Sequence, residues 1–215
     1  MISYFQQHQS QILSWLAWHT RLSALPLLFG LILSLPLGWL ARRYRWAYPP
    51  LVSIAGLLYT IPSLALFIVL PGILKTRILD PTNVVVALTI YTVALLVRVV
   101  ADGLAAVPDD VLQAATAMGY RGFGRLVRVE LPIAVPVIAA GLRVAAVSNV
   151  SLVSVSALIG VPQLGQLFVN GFQLNYQAPI LLGIVLSVLL ALAFDITIQL
   201  LGRSLTPWRR AVRPA

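Results

Sequence analysis

Five long apolar stretches, separated by short polar or basic intervals, set the pattern of this chain. Residues 22–40 carry no charge and are long enough for a bilayer core, which takes about 20 helical residues. Pro26 and Pro36 lie inside this run, and a membrane helix tolerates them when neighbours satisfy the freed carbonyls. Arg42, Arg43 and Arg45 follow at once. Pro49 and Pro50 open a second span over about residues 51–70, where Pro62 predicts a kink. Lys75, Arg77 and Asp80 mark its exit, and Asp80 to Asn83 reads as a turn and helix cap. A third span covers about residues 84–100. A fourth runs from Pro132 to about residue 158, with Arg143 as its one charge. The last covers about residues 179–201 and contains Asp195.

The interval 107–132 differs from the other connections because it has a helical pattern of its own. Pro108, Asp109 and Asp110 read as a helix start, where acids complement the exposed N–H groups. Leu112 to Met118 is helix-forming, and Gly119 reads as its C-terminal cap. Arg121, Arg125 and Arg128 are expected to share one side of a second short helix, which Leu131 and Pro132 close. On residue chemistry alone this is either a solvated connection or a docking element.

Composition narrows the class. The chain has 215 residues, 60% hydrophobic and only 10% charged, which excludes an ordinary soluble domain and leaves a polytopic membrane protein. The net charge of +9 does not indicate nucleic acid, because the bases sit at the ends of apolar spans. There is no cysteine, hence no disulfide framework or thiol chemistry. His8 and His19 precede the first span, and no metal site or catalytic pair emerges. No internal repeat supports a two-half secondary transporter. Residues 1–20 are Gln-rich with Trp15 and Trp18 near the first span. They suit either a tail ending in an aromatic anchor or a short interfacial helix.

Basic residues predict orientation. With the N-terminus outside, twelve arginines fall on the inner side: 42, 43, 45, 98, 121, 125, 128, 143, 203, 209, 210 and 213. Only Arg21, Lys75 and Arg77 fall outside. The excess puts 107–132 and the C-terminus in the cytoplasm. The expected organisation is an extracytoplasmic segment 1–20, a membrane domain 21–202 and a basic tail 203–215.

Polar groups inside the spans are the remaining candidates. Thr60, Pro62, Ser63, Asn149, Ser151 and Ser154 are candidates to line a pathway; small hydroxyls also serve as helix–helix glue, and both readings stand. Ser148, Asn149, Ser151, Ser154 and Ser156 together cover more than half the helix circumference, so that helix needs protein or water around it. Residues 160–177 are uncharged but rich in Gly and aromatics, and can re-enter the membrane under cover of protein. Phe168 and Phe172 there are gate candidates; Tyr59 and Phe67 are weaker ones. Arg143 and Asp195 are expected to pair, within the chain or across a dimer; a snorkelling Arg143 is the alternative.

The spacing of Gln113, Ala114, Ala115, Gly119, Val129, Leu131 and Pro132 resembles the cytoplasmic signature loop of ABC-importer permeases, with Gln113 where that pattern favours Glu. Residues 60–66 (Thr-Ile-Pro-Ser-Leu-Ala-Leu), Glu130 with Pro136, Gly141 and Arg143, and 157–160 (Ala-Leu-Ile-Gly) followed by Leu164 and Gly165 are similar to motifs of the osmoprotectant group. That group takes glycine betaine, carnitine or choline. Val161, Pro162 and Gln163 depart from the small residues usual there.

The resemblance extends over about residues 22–202. It implies an all-α membrane protein of the type I ABC importer permease fold, with about five transmembrane helices and a cytoplasmic two-helix coupling loop, in a bacterial cytoplasmic membrane. It further implies a second permease, identical or paralogous, two cytoplasmic ATPase subunits and an extracytoplasmic binding protein that selects the solute. ATP and Mg would be held by the ATPase, since this chain has no phosphate-binding Gly-x-x-x-x-Gly-Lys-Ser/Thr loop and no cofactor of its own is expected. On the resemblance, Gln113, Ala114, Ala115, Gly119, Arg121, Arg125, Leu131 and Pro132 are the ATPase-coupling residues. The rival expectations are a permease of the same fold for methionine or another small solute, and an ATP-independent channel or carrier. No tight aromatic cage stands in the spans, which leaves recognition of a quaternary ammonium group to the binding protein.

Overall fold

The computed structural model describes residues 2–208, and among these the regular structure is helical. Arg209, Arg210 and Arg213 of the basic tail lie outside the described residues. After a short α1 (Ile2–Gln7), α2 runs unbroken over Gln9–Arg43. Residues 1–20 are therefore no separate tail or interfacial segment, as their composition suggested. Ile12, Trp15, His19, Leu22 and Ser23 are all buried. Their spacing of three and four continues the periodicity of the first span, so a single helical face packs along the whole length. Trp15 is in the core against Leu164, Leu167 and Leu182, and Trp18 is half-buried beneath the Arg21 guanidinium.

The second span is broken, not kinked. It consists of α3 (Tyr48–Thr60) and α4 (Ser63–Leu74), whose axes meet at 101°. Ile61 and Pro62 are both extended, with ψ of 129° and 131°. Proline crowds the residue before it out of the helical region, and it offers no N–H to carry the ladder across. The Tyr91 hydroxyl donates to the Ile61 carbonyl freed by the break. Among the described residues four helical segments are long and apolar enough to cross a membrane, and the bent pair makes a fifth if it counts as one span.

The third span is α5 (Pro81–Ala105). Its start follows the expected chemistry. The Asp80 carboxylate accepts the Thr82 N–H at 2.9 Å, and the buried Asn83 amide donates to Arg77 O at 2.8 Å. Next come α6 (Asp109–Ala117), α7 (Gly122–Arg125), a π-helical turn (Leu126–Glu130) and α8 (Leu131–Val155). A 3₁₀ turn (Ser156–Ile159), α9 (Gln166–Gln173) and α10 (Gln177–Ser204) complete the described chain.

Helix α5 is the axis of the molecule and packs against α2, α3, α4 and α8. Val84, Ala87, Leu88, Leu96 and Val100 on it are fully buried. The α2–α5 seam is built from small residues: Gly30, Ser34 and Gly38, spaced by four, are all buried on α2. A Cβ at Gly30 would collide with the Thr92 side chain, and one at Gly38 would lie 2.6 Å from Val100 Cβ. On the α8 side, a Cβ at Gly141 would lie 2.5 Å from Val99 Cγ1. Helices in a bilayer gain little from apolar burial against one another, so close backbone approach supplies the dispersion contact instead. By contrast α10 packs on α8 and α9 and leaves Leu181, Ile184, Val188, Leu192 and Leu200 exposed, a face suited to lipid.

Gly38→Leu forces this seam apart and is expected to cost about 1–3 kcal/mol, as overpacking does. Thermal unfolding of the purified protein in detergent checks it. Gly56→Ala, with no atom within 4 Å of the added methyl, is the control and leaves the melting point at or above that of the parent.

Candidate functional site: the 107–132 loop and the polar groups of the spans

The loop takes its shape from backbone chemistry. Pro108 is extended and hands over to α6, whose first turn carries Asp109 and Asp110. At the far end Gly119 has φ of 88°. Its N–H bonds Thr116 O at 3.0 Å, and the Tyr120 N–H bonds Ala115 O at 3.0 Å. This is the paired bonding of a Schellman cap, which needs a left-handed residue and so favours glycine. Ala115 is on the buried face of α6, while Gln113, Ala114 and Gly119 face outward.

The second arm differs from the sequence expectation. Arg121 is extended (φ −133°, ψ 149°) and Gly122 has φ of 50°. The helix therefore starts after Arg121, and Arg121 does not share a helical side with Arg125. Two left-handed glycines three residues apart break the periodicity on which that expectation rested. The π turn from Leu126 then alters the register between Arg125 and Arg128.

Arg125 works inside the loop. Its Nε meets Glu130 Oε1 at 2.8 Å, and an Nη donates to Thr116 Oγ1 at 3.1 Å. Glu130 is buried at the start of α8. A buried carboxylate needs such a partner, so this one guanidinium ties the last turn of α6 to the base of a membrane helix. Leu131 and Pro132 begin α8, and Leu131 packs on the Val100, Leu104 and Leu126 cluster. Asp109, Leu112, Gln113, Thr116 and Arg125 line a groove of about 320 Å³. Met118 and Phe123 project beside Gly119, 70% and 76% exposed.

The pathway candidates do not gather into one enclosed cavity. Thr60 is exposed and its hydroxyl donates to Leu57 O at 2.7 Å. Pro62 is exposed in the α3–α4 break and Ser63 is half-buried at the start of α4. Ser151 is exposed and Ser154 half-buried on α8. Asn149 is buried, and its amide Nδ2 donates to Thr92 Oγ1 at 3.0 Å, which makes it an α5–α8 bond. Beside it lies the edge-to-face pair Tyr59 and Tyr91, 5.7 Å between ring centroids. Phe168 is half-buried and packs on Gly183 of α10; Phe172, one turn on, is 85% exposed.

Arg143 and Asp195 are brought together within the chain. Arg143 Nε lies 2.6 Å from Asp195 Oδ1 and Nη2 lies 2.9 Å from Oδ2. This two-pronged geometry joins α8 to α10 and satisfies each charge where water is scarce.

Sequence reasoning missed a second polar cluster. His19 on α2 is fully buried, with Nδ1 3.1 Å from Gln163 Oε1 and Nε2 3.0 Å from Val150 O. Gln163 is buried as well. Its amide Nε2 donates to Ser154 O at 3.2 Å, and its Oε1 accepts the Gly165 N–H. The departure at Gln163 is thus a structural substitution, a side chain that stitches the turn after α8 to α2. The three-and-four spacing through His19 was the one available signal; its partner lies 144 residues away. Among the described residues no cluster of three His, Asp or Glu could hold a metal.

Reversing one charge of the Arg143–Asp195 pair leaves two like charges facing each other between two spans, where an uncompensated charge costs about 3 kcal/mol. Arg143→Asp or Asp195→Arg alone is expected to lower the yield and melting point of the membrane-extracted protein. The double variant Arg143→Asp with Asp195→Arg is expected to recover both, and size-exclusion yield with thermal melting checks this.

Known proteins place this architecture. The chain is 33% identical over 210 residues to the osmoprotectant import permease protein OsmW of Salmonella typhimurium, covering 96% of this chain and 97% of that protein. It is 31% identical over 209 residues to the glycine betaine/carnitine/choline transport system permease protein OpuCD of Bacillus subtilis, covering 97% and 90%. Its fold matches a chain of the inward-facing MetNI methionine ABC transporter with a TM-score of 0.80 at 20% identity, over 93% of this chain and 98% of that one. The all-helical, four-to-five-span arrangement with its intervening loop is therefore the type I ABC importer permease fold. The model of one family matches residues 21–207, and the chain belongs to that family, the binding-protein-dependent transport system inner membrane components.

Proposed function

We propose that this chain is the membrane permease subunit of an ATP-driven importer for a compatible solute such as glycine betaine, choline or carnitine. The observation that carries the reading is the 107–132 loop. It presents a rigid, outward-facing helix between two membrane segments, clamped to the base of α8 by Arg125. The names of the relatives above supply the solute class. The chain itself is not an enzyme in this reading. Two cytoplasmic ATPase subunits hold ATP and Mg, a second permease, identical or paralogous, completes the pathway, and an extracytoplasmic binding protein chooses the cargo. The N-terminus lies outside and the C-terminus in the cytoplasm, in keeping with the excess of basic residues on one side. In this reading residues 1–20 lie on the extracytoplasmic side as the outer extension of the first helix, 21–202 form the membrane domain and 203–215 lie in the cytoplasm.

Coupling follows from differential binding. Gln113, Ala114, Gly119 and Arg121 form the docking surface over the buried Ala115, and Met118 and Phe123 are its apolar anchors in a groove of the ATPase. When the ATPase pair closes on ATP, it favours one position of α6 over another. The Arg125 bridge and the Leu131–Pro132 start of α8 carry that preference into the spans. Thr60, Pro62, Ser63, Ser151 and Ser154 would line the path between two permeases, with Phe172 at its mouth and Phe168 as its support. Asn149, held by Thr92, acts from behind.

Co-purification with a co-expressed candidate ATPase subunit, followed by ATP hydrolysis in lipid with loaded binding proteins, tests the class and the solute together. Stimulation by one loaded binding protein is the expected outcome. Solute flux through the chain alone, without any associated ATPase, would overturn the reading in favour of a channel. Gly119→Asp is the sharper probe: a side chain there meets nothing within 4 Å, and the left-handed backbone adds only about 1–2 kcal/mol of local strain. The variant is expected to insert and extract normally while ATP-coupled uptake falls to background; normal uptake refutes the docking role.

A further inference from the structure

We propose that the cleft where α2 ends and α3 begins holds the phosphate headgroup of an anionic phospholipid. The position is set by the chain. Residues 22–40 end in Arg42, Arg43 and Arg45, and α3 turns back with Tyr48 five residues after α2 stops. The turn between two apolar segments lies at the bilayer surface, at the level of the lipid phosphates. Tyr44 and Trp46 within it are exposed, Trp46 by 76%, as suits aromatic rings at that boundary.

Between this turn and α5 is a cleft of about 290 Å³ lined by Ala41, Arg42, Arg45, Tyr48, Ala101 and Ala105. Ala41 and Ala101 are buried and leave the floor shallow. The walls carry two guanidinium groups. The acid nearby, Asp102, is already engaged: it accepts the Tyr48 hydroxyl at 2.9 Å and faces Arg98 at 3.5 Å. Arg43 lies over the Tyr44 ring, 5.8 Å from its centroid. Among the described residues no carboxylate lies within 4.0 Å of Arg42 or Arg45.

A cleft with two arginines, small walls and no counter-anion matches a phosphate, whose oxygens accept guanidinium N–H groups in pairs. Basic pockets between membrane helices hold anionic headgroups in this way. The bilayer supplies that ligand at high local concentration, and the apolar side chains exposed on the adjoining helices, Ile32 and Leu33 on α2 and Ile54 and Leu57 on α3, suit its acyl chains. The site is independent of the cargo and of the ATPase, and rests only on the membrane reading.

Native mass spectrometry of the detergent-purified full chain, titrated with phosphatidylglycerol or phosphatidylcholine, tests it. The parent is expected to retain phosphatidylglycerol over phosphatidylcholine by about thirtyfold, the scale of two arginines at a membrane surface. Arg42→Gln with Arg45→Gln abolishes the preference; Lys75→Gln with Arg77→Gln, on the opposite surface, keeps it. Ala105→Phe fills the cleft while sparing both charges, and is expected to abolish the preference with an unchanged melting point. Undiminished preference in Ala105→Phe, or in a folded Arg42/Arg45 double variant, overturns the site. Displacement of phosphatidylglycerol from the parent by millimolar inorganic phosphate or glycerol phosphate overturns the lipid assignment in favour of a free anion.

Discussion

Close approach between α2 and α5 is the constraint on which the other contacts depend. Gly30, Ser34 and Gly38 let the two backbones meet, and α5 is thereby fixed in the middle of the molecule. With α2 on one side and Gly141 of α8 on another, α5 has no lipid-facing stripe of consequence and its apolar residues become core. The remaining elements attach to this unit. Tyr91 of α5 reaches across to the broken second span, Thr92 holds Asn149 on α8, and Asp102 holds Tyr48 at the head of α3. Small residues here are a packing device in a solvent that offers helices no other strong reason to associate.

Two polar ties stabilise the periphery in different ways. The Arg143–Asp195 pair joins α8 to α10, a helix with much of its surface exposed. The His19 and Gln163 cluster joins α2 to the turn after α8 through an imidazole, a side-chain amide and backbone carbonyls. Between Arg143 and Asp195 the chain contains no charged residue, so order in that half depends on amides, hydroxyls and one imidazole. Each is costly if left without a partner in a dry interior.

What was legible in the sequence was local. The Asp80 cap and the Gly119 turn need only residues a few positions apart, and both stand where their chemistry puts them. Apolar run length located the spans for the same reason. The second span was legible as a proline site but not as a 101° break, because the angle depends on Tyr91 and α5 accepting the opened backbone. Arg121 was misplaced because helical spacing was carried through two glycines that interrupt it. Arg143 and Asp195 were recognisable as partners because so few charges lie inside spans. Gln163 had no such signal: glutamine in a turn is ordinary, and its value comes from a histidine 144 residues earlier. The pathway candidates were chosen by polarity, which does not separate a residue facing the membrane domain's interior, such as Asn149, from one facing out, such as Ser151.

The Gly119 turn carries a wider consequence. Its two closing bonds run from backbone to backbone, and the bridge that steadies it uses Thr116, Arg125 and Glu130 and none of Gln113, Ala114, Met118 or Phe123. Geometry and identity are therefore written in separate alphabets within the same stretch. Gln113, Ala114, Met118 and Phe123 can drift over evolutionary time to suit a new neighbour while the lever keeps its length and angle. In the coupling role proposed above, a permease built this way can change the motor it answers to without redesigning the gearbox.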